Sequence, residues 1–232
     1  MTFSADPRIG AELLGYRIES VLGRGGMSVV YLAEDLRLRR RVALKFLARR
    51  LAEDGAFRDR FLQESQLAAS LDHPNVVPIY AAGETEDELY IAMRYVEGRD
   101  LKELLREGPL TKDRAVRICA QVADALDFAH SRQLVHRDVK PSNVLLDATE
   151  HAYLADFGLT KRTDDARALE PGLFGTIDYV APEQIRGEDI DGRADVYALG
   201  CLLYECMSGT APFRRGSDAA TLYAHLEEEP PT

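Results

Sequence analysis

Residues 136–143 read His-Arg-Asp-Val-Lys-Pro-Ser-Asn, and Asp156-Phe157-Gly158 follow shortly after, so two carboxylates, an amide and a lysine fall within 21 residues. Two short apolar runs, 144–146 and 153–155, lie between these groups and read as a hairpin that draws them together. Asn143 and Asp156 supply hard oxygen atoms, the donor type that Mg2+ takes in small number while keeping several waters. Asp138 is then left to accept a proton from a hydroxyl. Lys140 can hold a negatively charged oxygen. The cluster is too dense and too ordered to be accounted for by packing.

Lys45 is the second chemical signal. It sits in the run 42–47 (Val-Ala-Leu-Lys-Phe-Leu), whose alternation places Ala43 and Lys45 on one side and Val42, Leu44 and Phe46 on the other. An ammonium group in an apolar strand needs a counter-charge, because burying it alone is costly. Glu64, between Phe61 and Ala68 on the stripe of the next helix, is the candidate, and their pairing is either structural or functional. The stretch Leu22-Gly23-Arg24-Gly25-Gly26-Met27-Ser28 also permits two readings: a tight turn, or a backbone that comes close to phosphates where a Cβ would collide. A dinucleotide fingerprint needs a helix after the glycines, and here a strand follows.

These residues need elements to hold them. The pattern predicts two strands over 16–34 around the glycine-rich turn, a third at 42–47 and a fourth at 89–96 that Glu97-Gly98-Arg99 breaks. A helix carries Phe57, Phe61, Leu67, Ala68 and Leu71. Buried helices are expected at 111–130, with Thr111 as N-cap and Val116, Cys119, Val122, Ala123, Leu126 and Ala129 inward, and at 196–207. The fold class is therefore α+β, with strands and one helix first, mostly helix afterwards, and a cleft between two lobes.

Composition sets the outer limits. The 232 residues, 46% hydrophobic and 29% charged, describe a soluble globular chain, and the net charge of −10 argues against nucleic acid or an anionic membrane as main partner. Cys119, Cys201 and Cys206 are odd in number and lie in apolar stretches, so they read as reduced thiols and not as a disulfide framework. The first ten residues lack a signal-peptide core, and no apolar run is long enough to span a membrane. A cytoplasmic chain is expected, or the cytoplasmic part of a longer anchored protein.

The chain resembles the protein kinases over residues from about 15 to 231. The resemblance rests on Gly23-Arg24-Gly25-Gly26-Met27-Ser28-Val29-Val30, Val42-Ala43-Leu44-Lys45, Glu64 and the His136–Asn143 octet. Asp156-Phe157-Gly158, Gly175-Thr176, Ala181-Pro182-Glu183 and Asp195-Val196-Tyr197-Ala198-Leu199-Gly200 complete it. Gly-Arg-Gly-Gly-Met-Ser, together with Lys140 and Gly175-Thr176, is similar to the bacterial Ser/Thr branch. The resemblance implies a two-lobed kinase-like fold: an extension 1–15, a β-rich ATP-binding lobe 16–96 with one key helix, and a mainly helical lobe 97–232. It implies transfer of the γ-phosphate of ATP, with Mg2+, to Ser/Thr hydroxyls of proteins and of the chain itself.

By the same resemblance Lys45, held by Glu64, grips the α- and β-phosphates, and the loop Gly23–Ser28 covers them. Leu22, Val30, Ala43 and Leu145 sandwich the adenine, Met93 is the gatekeeper, and Arg94, Tyr95 and Val96 form the hinge. Asn143 and Asp156 hold Mg2+, Asp138 orients and deprotonates the substrate hydroxyl, and Lys140 steadies the γ-phosphate. Thr176 belongs to the catalytic set, Asp195 braces the catalytic loop, and His136 and Phe157 pack in the internal spine. Dimerisation through the small lobe is implied by resemblance alone.

The chain departs from the pattern in four places. Ser28 stands at the third glycine, and Arg94 at a usually acidic hinge position. In 156–183, Glu170 and Ala168 stand where relatives carry phosphorylatable threonines, with only Thr160 and Thr163 earlier; Glu170 either offers Arg137 a permanent negative charge or is a solvated loop residue. Only 49 residues follow Glu183, fewer than the family's usual helices, so its carboxylate lacks the usual arginine unless Arg214 or Arg215 substitutes. The early end is the one feature favouring the alternative of a catalytically inactive, kinase-like binding module. A small-molecule phosphotransferase would not be expected to carry the Gly-Thr and Ala-Pro-Glu segment.

Overall fold

The structure, a computed structural model, describes residues 6–85, 87–157 and 177–231. They pack as two compact units. One holds the chain up to Ser70 together with Pro78–Tyr95; the other holds Leu71–Val77 together with the chain from Val96 onward.

The first unit is built on a six-stranded sheet. Its strands are β1 (Glu12–Leu13), β2 (Tyr16–Arg24), β3 (Ser28–Asp35), β4 (Arg40–Leu47), β5 (Ile79–Glu84) and β6 (Leu89–Arg94), in the order β1-β2-β3-β4-β6-β5. The named pairings are antiparallel. The expected alternation of β4 holds: Val42, Leu44 and Phe46 join Ile18, Tyr31, Ala33 and Ala92 in the core. The N-terminal segment closes this core, because Arg8 lies over the Phe46 ring at 4.7 Å and donates twice to Glu88 at 2.7 Å. After α1 (Arg49–Ala52), helix α2 (Gly55–Ala69) starts where Asp54 accepts from the Ala56 and Phe57 amides at 3.0 and 3.1 Å.

The buried stripe of α2 is Phe57, Phe61, Ser65 and Ala68. Leu67, expected inward, is exposed, because it stands off the i, i+4 row that Phe57, Phe61 and Ser65 define. Strand β6 stops at Arg94, short of the expected 96.

The second unit opens with β7 (Gly98–Asp100), which pairs with β8 (Val144–Asp147), itself paired with β9 (Ala152–Leu154). Glu97-Gly98-Arg99 is thus more than a break, since it leads into a strand. Gly98 is required there, because a Cβ would sit 1.9 Å from the Leu146 carbonyl oxygen. Gly98→Ala should therefore cost ~3 kcal/mol of stability, the upper range for overpacking, read as a lower urea midpoint. A midpoint unchanged from the parent would show that the strand shifts freely.

The helices of this unit are α3 (Leu101–Leu105), α4 (Lys112–His130), α5 (Pro182–Arg186), α6 (Gly192–Ser208) and α7 (Asp218–Glu227), with 3-10 turns at Pro141–Asn143 and Ile177–Tyr179. Thr111 caps α4 by position, but its hydroxyl makes no capping bond. Val116, expected inward, is exposed, and so are Val196 and Met207 at the two ends of the helix expected over 196–207. The buried face of α6 instead carries Ala194, Asp195, Ala198, Cys201, Leu202, Glu205 and Cys206, so polar groups with fixed partners displace apolar ones from the core side. All three cysteines are free and buried. Among the described residues, no helix is long and apolar enough to cross a membrane.

Candidate active site

The 136–143 segment enters from α4 and leaves through the 3-10 turn into β8, and two of its backbone amides are held by one side chain. Asp195, near the start of α6 and almost wholly buried, accepts at 2.7 Å from three donors: the amides of His136 and Arg137 and Nε2 of His130. His136 is fully buried. Its Nδ1 accepts from the Asp138 amide at 3.2 Å and its Nε2 donates to the Ala155 carbonyl at 3.0 Å, a neutral tautomer assigned from its partners. Burial pushes the His136 pKa down, which agrees with that neutral form. Its ring lies 4.7 Å from that of Phe157. Arg137 and Asp156 adopt left-handed backbone, with φ of 64° and 61°. Non-glycine residues in that region are strained and persist only where surrounding contacts impose it.

This bracing concentrates polar groups around Asp138. Lys140 Nζ lies 2.7 Å from Asp138 Oδ2, and Asn143 Nδ2 donates to the same oxygen at 3.0 Å and to the Asp138 carbonyl at 2.8 Å. The Asn143 carbonyl accepts from the Ala155 amide at 2.9 Å, which sets Asp156 beside it in the chain. Asp138, Lys140 and Asn143 are thus in direct contact, and Asp156 stands at the end of β9 that leads out of the same hairpin. Because Asn143 uses its NH2 on Asp138, its amide oxygen is the atom left with metal-binding chemistry. Two hard oxygens without a full protein cage fit Mg2+, and among the described residues no cluster of three or more His, Cys, Asp or Glu competes as a metal site. A pocket lined by Arg137, Asp138, Lys140, Tyr179, Val180 and Gln184 opens beside these groups.

In the first unit, cross-strand register gathers other predicted residues. Val30 faces Lys45 across β3 and β4, and Ala43 faces Met93 across β4 and β6, so these four share the sheet face opposite the core. Lys45, Ala43 and Met93 are buried, Val30 is half-buried and Leu22 is exposed. Glu64 is half-buried on α2. The turn between β2 and β3 closes with Gly25 N donating to Ser28 O at 2.8 Å, and Met27 O accepts from Ala48 N at 2.8 Å. A Cβ at Gly23 would meet nothing within 4 Å, and one at Gly25 only Ser28 at 3.8 Å. Packing therefore does not demand glycine at either position. Arg24 pairs with Asp6 of the N-terminal segment. Exposed Arg94 donates its amide to Pro78 O at 2.9 Å, with Tyr95 and Val96 half-buried beyond the strand. Leu145 is half-buried in β8 of the second unit.

Gly158, Thr160, Thr163, Ala168, Glu170, Gly175 and Thr176 lie outside the described residues. Neither proposed substitute reaches Glu183: Arg214 binds Asp178 Oδ2 through Nε at 3.1 Å and Nη2 at 2.5 Å, and Arg215 pairs with Glu228. Glu183 is half-exposed, so water offsets the burial cost expected for it.

His130 and Gln184 escaped the sequence reading. The link from His130 to Asp195 spans 65 residues and leaves no local pattern. Gln184 had a signal, since it is the third residue of a helix that begins with proline, where Gln reaches back to the cap. The hydrogen bond to Asp195 holds the His130 pKa above its ordinary value, with Asp127 and Asp191 adding to it. A raised folded pKa gives stability that is full below the unfolded value of about 6.5 and is lost as pH rises through the folded pKa. His136 and His225, held neutral by burial, act in the opposite sense at low pH. The Tm gap between the parent chain and His130→Gln should be widest below about pH 6.5 and narrow as pH rises. A gap independent of pH would remove the charge from this account.

A sheet carrying a buried lysine, together with a helical unit that presents an anchored Asp-Lys-Asn loop, defines the protein kinase fold. The protein kinase domain pattern matches residues 16–230. The chain belongs to the protein kinase domain family, whose general chemistry is phosphoryl transfer from ATP. It is 44% identical over 230 residues to the serine/threonine-protein kinase PknJ of Mycobacterium tuberculosis, covering 96% of this chain and 39% of that protein. To PknB of the same species it is 43% identical over 223 residues, covering 93% and 36%. The crystal structure of the M. tuberculosis PknI kinase domain matches with TM-score 0.75 and 36% identity, covering 88% of this chain and 78% of that one. The chain thus spans less than two fifths of the length of these PknJ and PknB relatives.

Proposed function

We propose that the chain transfers the γ-phosphate of ATP to Ser or Thr hydroxyls of protein substrates. The observation that carries this reading is Asp138, held against Lys140 and Asn143 on a loop whose backbone is bound to Asp195. Phosphoryl transfer asks mainly for position and charge neutralisation, and a pinned carboxylate beside an ammonium group supplies both. Asp138 takes the hydroxyl proton, and Lys140 holds negative charge on the transferring group. Asn143 and Asp156 would hold Mg2+, which when bound neutralises charge on the phosphates.

The first unit is assigned to the nucleotide. Lys45, supported by Glu64, binds phosphate oxygens. Val30, Ala43 and Met93 offer an apolar face for the base, with Leu22, and the backbone of Arg94 and Tyr95 meets its polar edge. Uncrowded Gly23 and Gly25 suit a loop that lets phosphates approach its amides. Arg24, Gly26, Met27 and Ser28 belong to that loop, and Thr176 to the catalytic set. Transfer of labelled γ-phosphate from Mg-ATP to a basic Ser/Thr peptide tests the reading. A folded chain that binds Mg-ATP and transfers nothing would instead be a binding module.

A further inference from the structure

Gln184 ties the backbone just before Asp138 to the Ala181-Pro182-Glu183 segment. Its Oε1 accepts from the Ala181 amide at 3.0 Å, and its Nε2 donates to the Arg137 carbonyl at 3.3 Å. Ala181 is fully buried, and Gln184 shares its pocket with Arg137, Asp138, Lys140, Tyr179 and Val180. The two ends of this amide do different work. The oxygen end satisfies an amide left open at the start of α5, an ordinary capping role. The nitrogen end lies outside helix geometry altogether. It reaches a residue whose left-handed backbone, φ 64°, needs outside contacts to persist. The Arg137 amide is already fixed on Asp195 at 2.7 Å, so Gln184 fixes the other side of the same residue.

We infer that Gln184 is a positioning residue for the transfer reaction: it sets the orientation of Asp138 by holding the Arg137 carbonyl from the start of α5. The inference rests on the transfer activity proposed above. Gln184 is not itself placed on the substrate hydroxyl or on the nucleotide.

Two variants separate its ends. Gln184→Glu keeps an oxygen for the Ala181 amide and sets an acceptor against the Arg137 carbonyl; Gln184→Met keeps the length of the stem and loses both bonds. If Gln184 positions Asp138, both variants lower kcat about tenfold, the scale of a misaligned catalytic group, with KM for ATP and peptide within about twofold. Gln184→Glu should also keep a Tm close to the parent's. Capping alone would make Gln184→Met less stable and leave Gln184→Glu with parental kcat, and that outcome overturns the inference. Hydrogen exchange at the Arg137 and Asp138 amides is the second readout and needs no turnover. Exchange should quicken in both variants, and parental exchange in Gln184→Glu would overturn the positioning role by itself. A parent chain that binds Mg-ATP but transfers nothing would overturn the proposed function instead, leaving exchange to decide the role of Gln184.

Discussion

Asp138→Asn should lower the rate of γ-phosphate transfer by roughly 10^3-fold, within the range assigned to a positioned acid or base, while Mg-ATP affinity and Tm stay near parental values. The substitution is nearly isosteric. Its amide oxygen still accepts from Asn143, and its amide still donates to His136 Nδ1, so the loop keeps its fastenings. Two properties are lost. The Lys140 ammonium, now 2.7 Å from a carboxylate oxygen, loses its counter-charge, and no basic oxygen remains to take the hydroxyl proton. Single-turnover transfer at saturating Mg-ATP reads the chemical step alone. Parental rates in this variant would remove Asp138 from proton transfer and return the cluster to a structural role.

The polar cluster was more legible in the sequence than the packing around it. The Asp138, Lys140 and Asn143 cluster was readable because these groups lie within six residues of each other, so no long-range folding is needed to place them together. Strands β2, β3, β4, β8 and β9 and helices α2, α4 and α6 followed from periodicity for the same reason. Strand β5 reads Ile-Tyr-Ala-Ala-Gly-Glu, which has neither the alternation nor the β-branched content that marks a strand, and it forms because β6 offers it a partner.

The buried face of α6 was the hardest to foresee. A rule that sorts side chains by hydropathy turns Val196 and Met207 inward and Asp195 and Glu205 outward, the reverse of what is observed. Each buried carboxylate has partners supplied by distant chain. Asp195 receives His130, His136 and Arg137, and Glu205 receives the Tyr179 hydroxyl. A buried polar group is tolerable only where donors converge on it, and that convergence is a property of the tertiary structure that periodicity does not carry. His130 was missed for the same reason, since its value lies in what it reaches, whereas Gln184 carried a local capping signal and only its link to Arg137 was hidden.

The stability of the catalytic loop should depend most steeply on Asp195. In Asp195→Ala the amides of His136 and Arg137 lose their acceptor, and His130 loses its counter-charge. Stranding buried donors that a carboxylate had satisfied should cost about 3–5 kcal/mol, a large share of the roughly 5–15 kcal/mol that holds a typical domain folded. Urea unfolding should therefore show a much lower midpoint, or no cooperative transition at all. Asp195→Asn refines the test, because Oδ2 takes His136 and His130 while Oδ1 takes Arg137. An amide can place its single oxygen on only one side. With the oxygen toward His136 and His130, its NH2 would face the Arg137 amide, donor against donor. Asp195→Asn should then be less destabilised than Asp195→Ala, yet still lose transfer activity, because Arg137 is freed from its left-handed backbone next to Asp138. An Asp195→Asn chain of parental stability and parental rate would show that the loop holds its shape without this anchor, and the account of Asp138 as a pinned base would go with it.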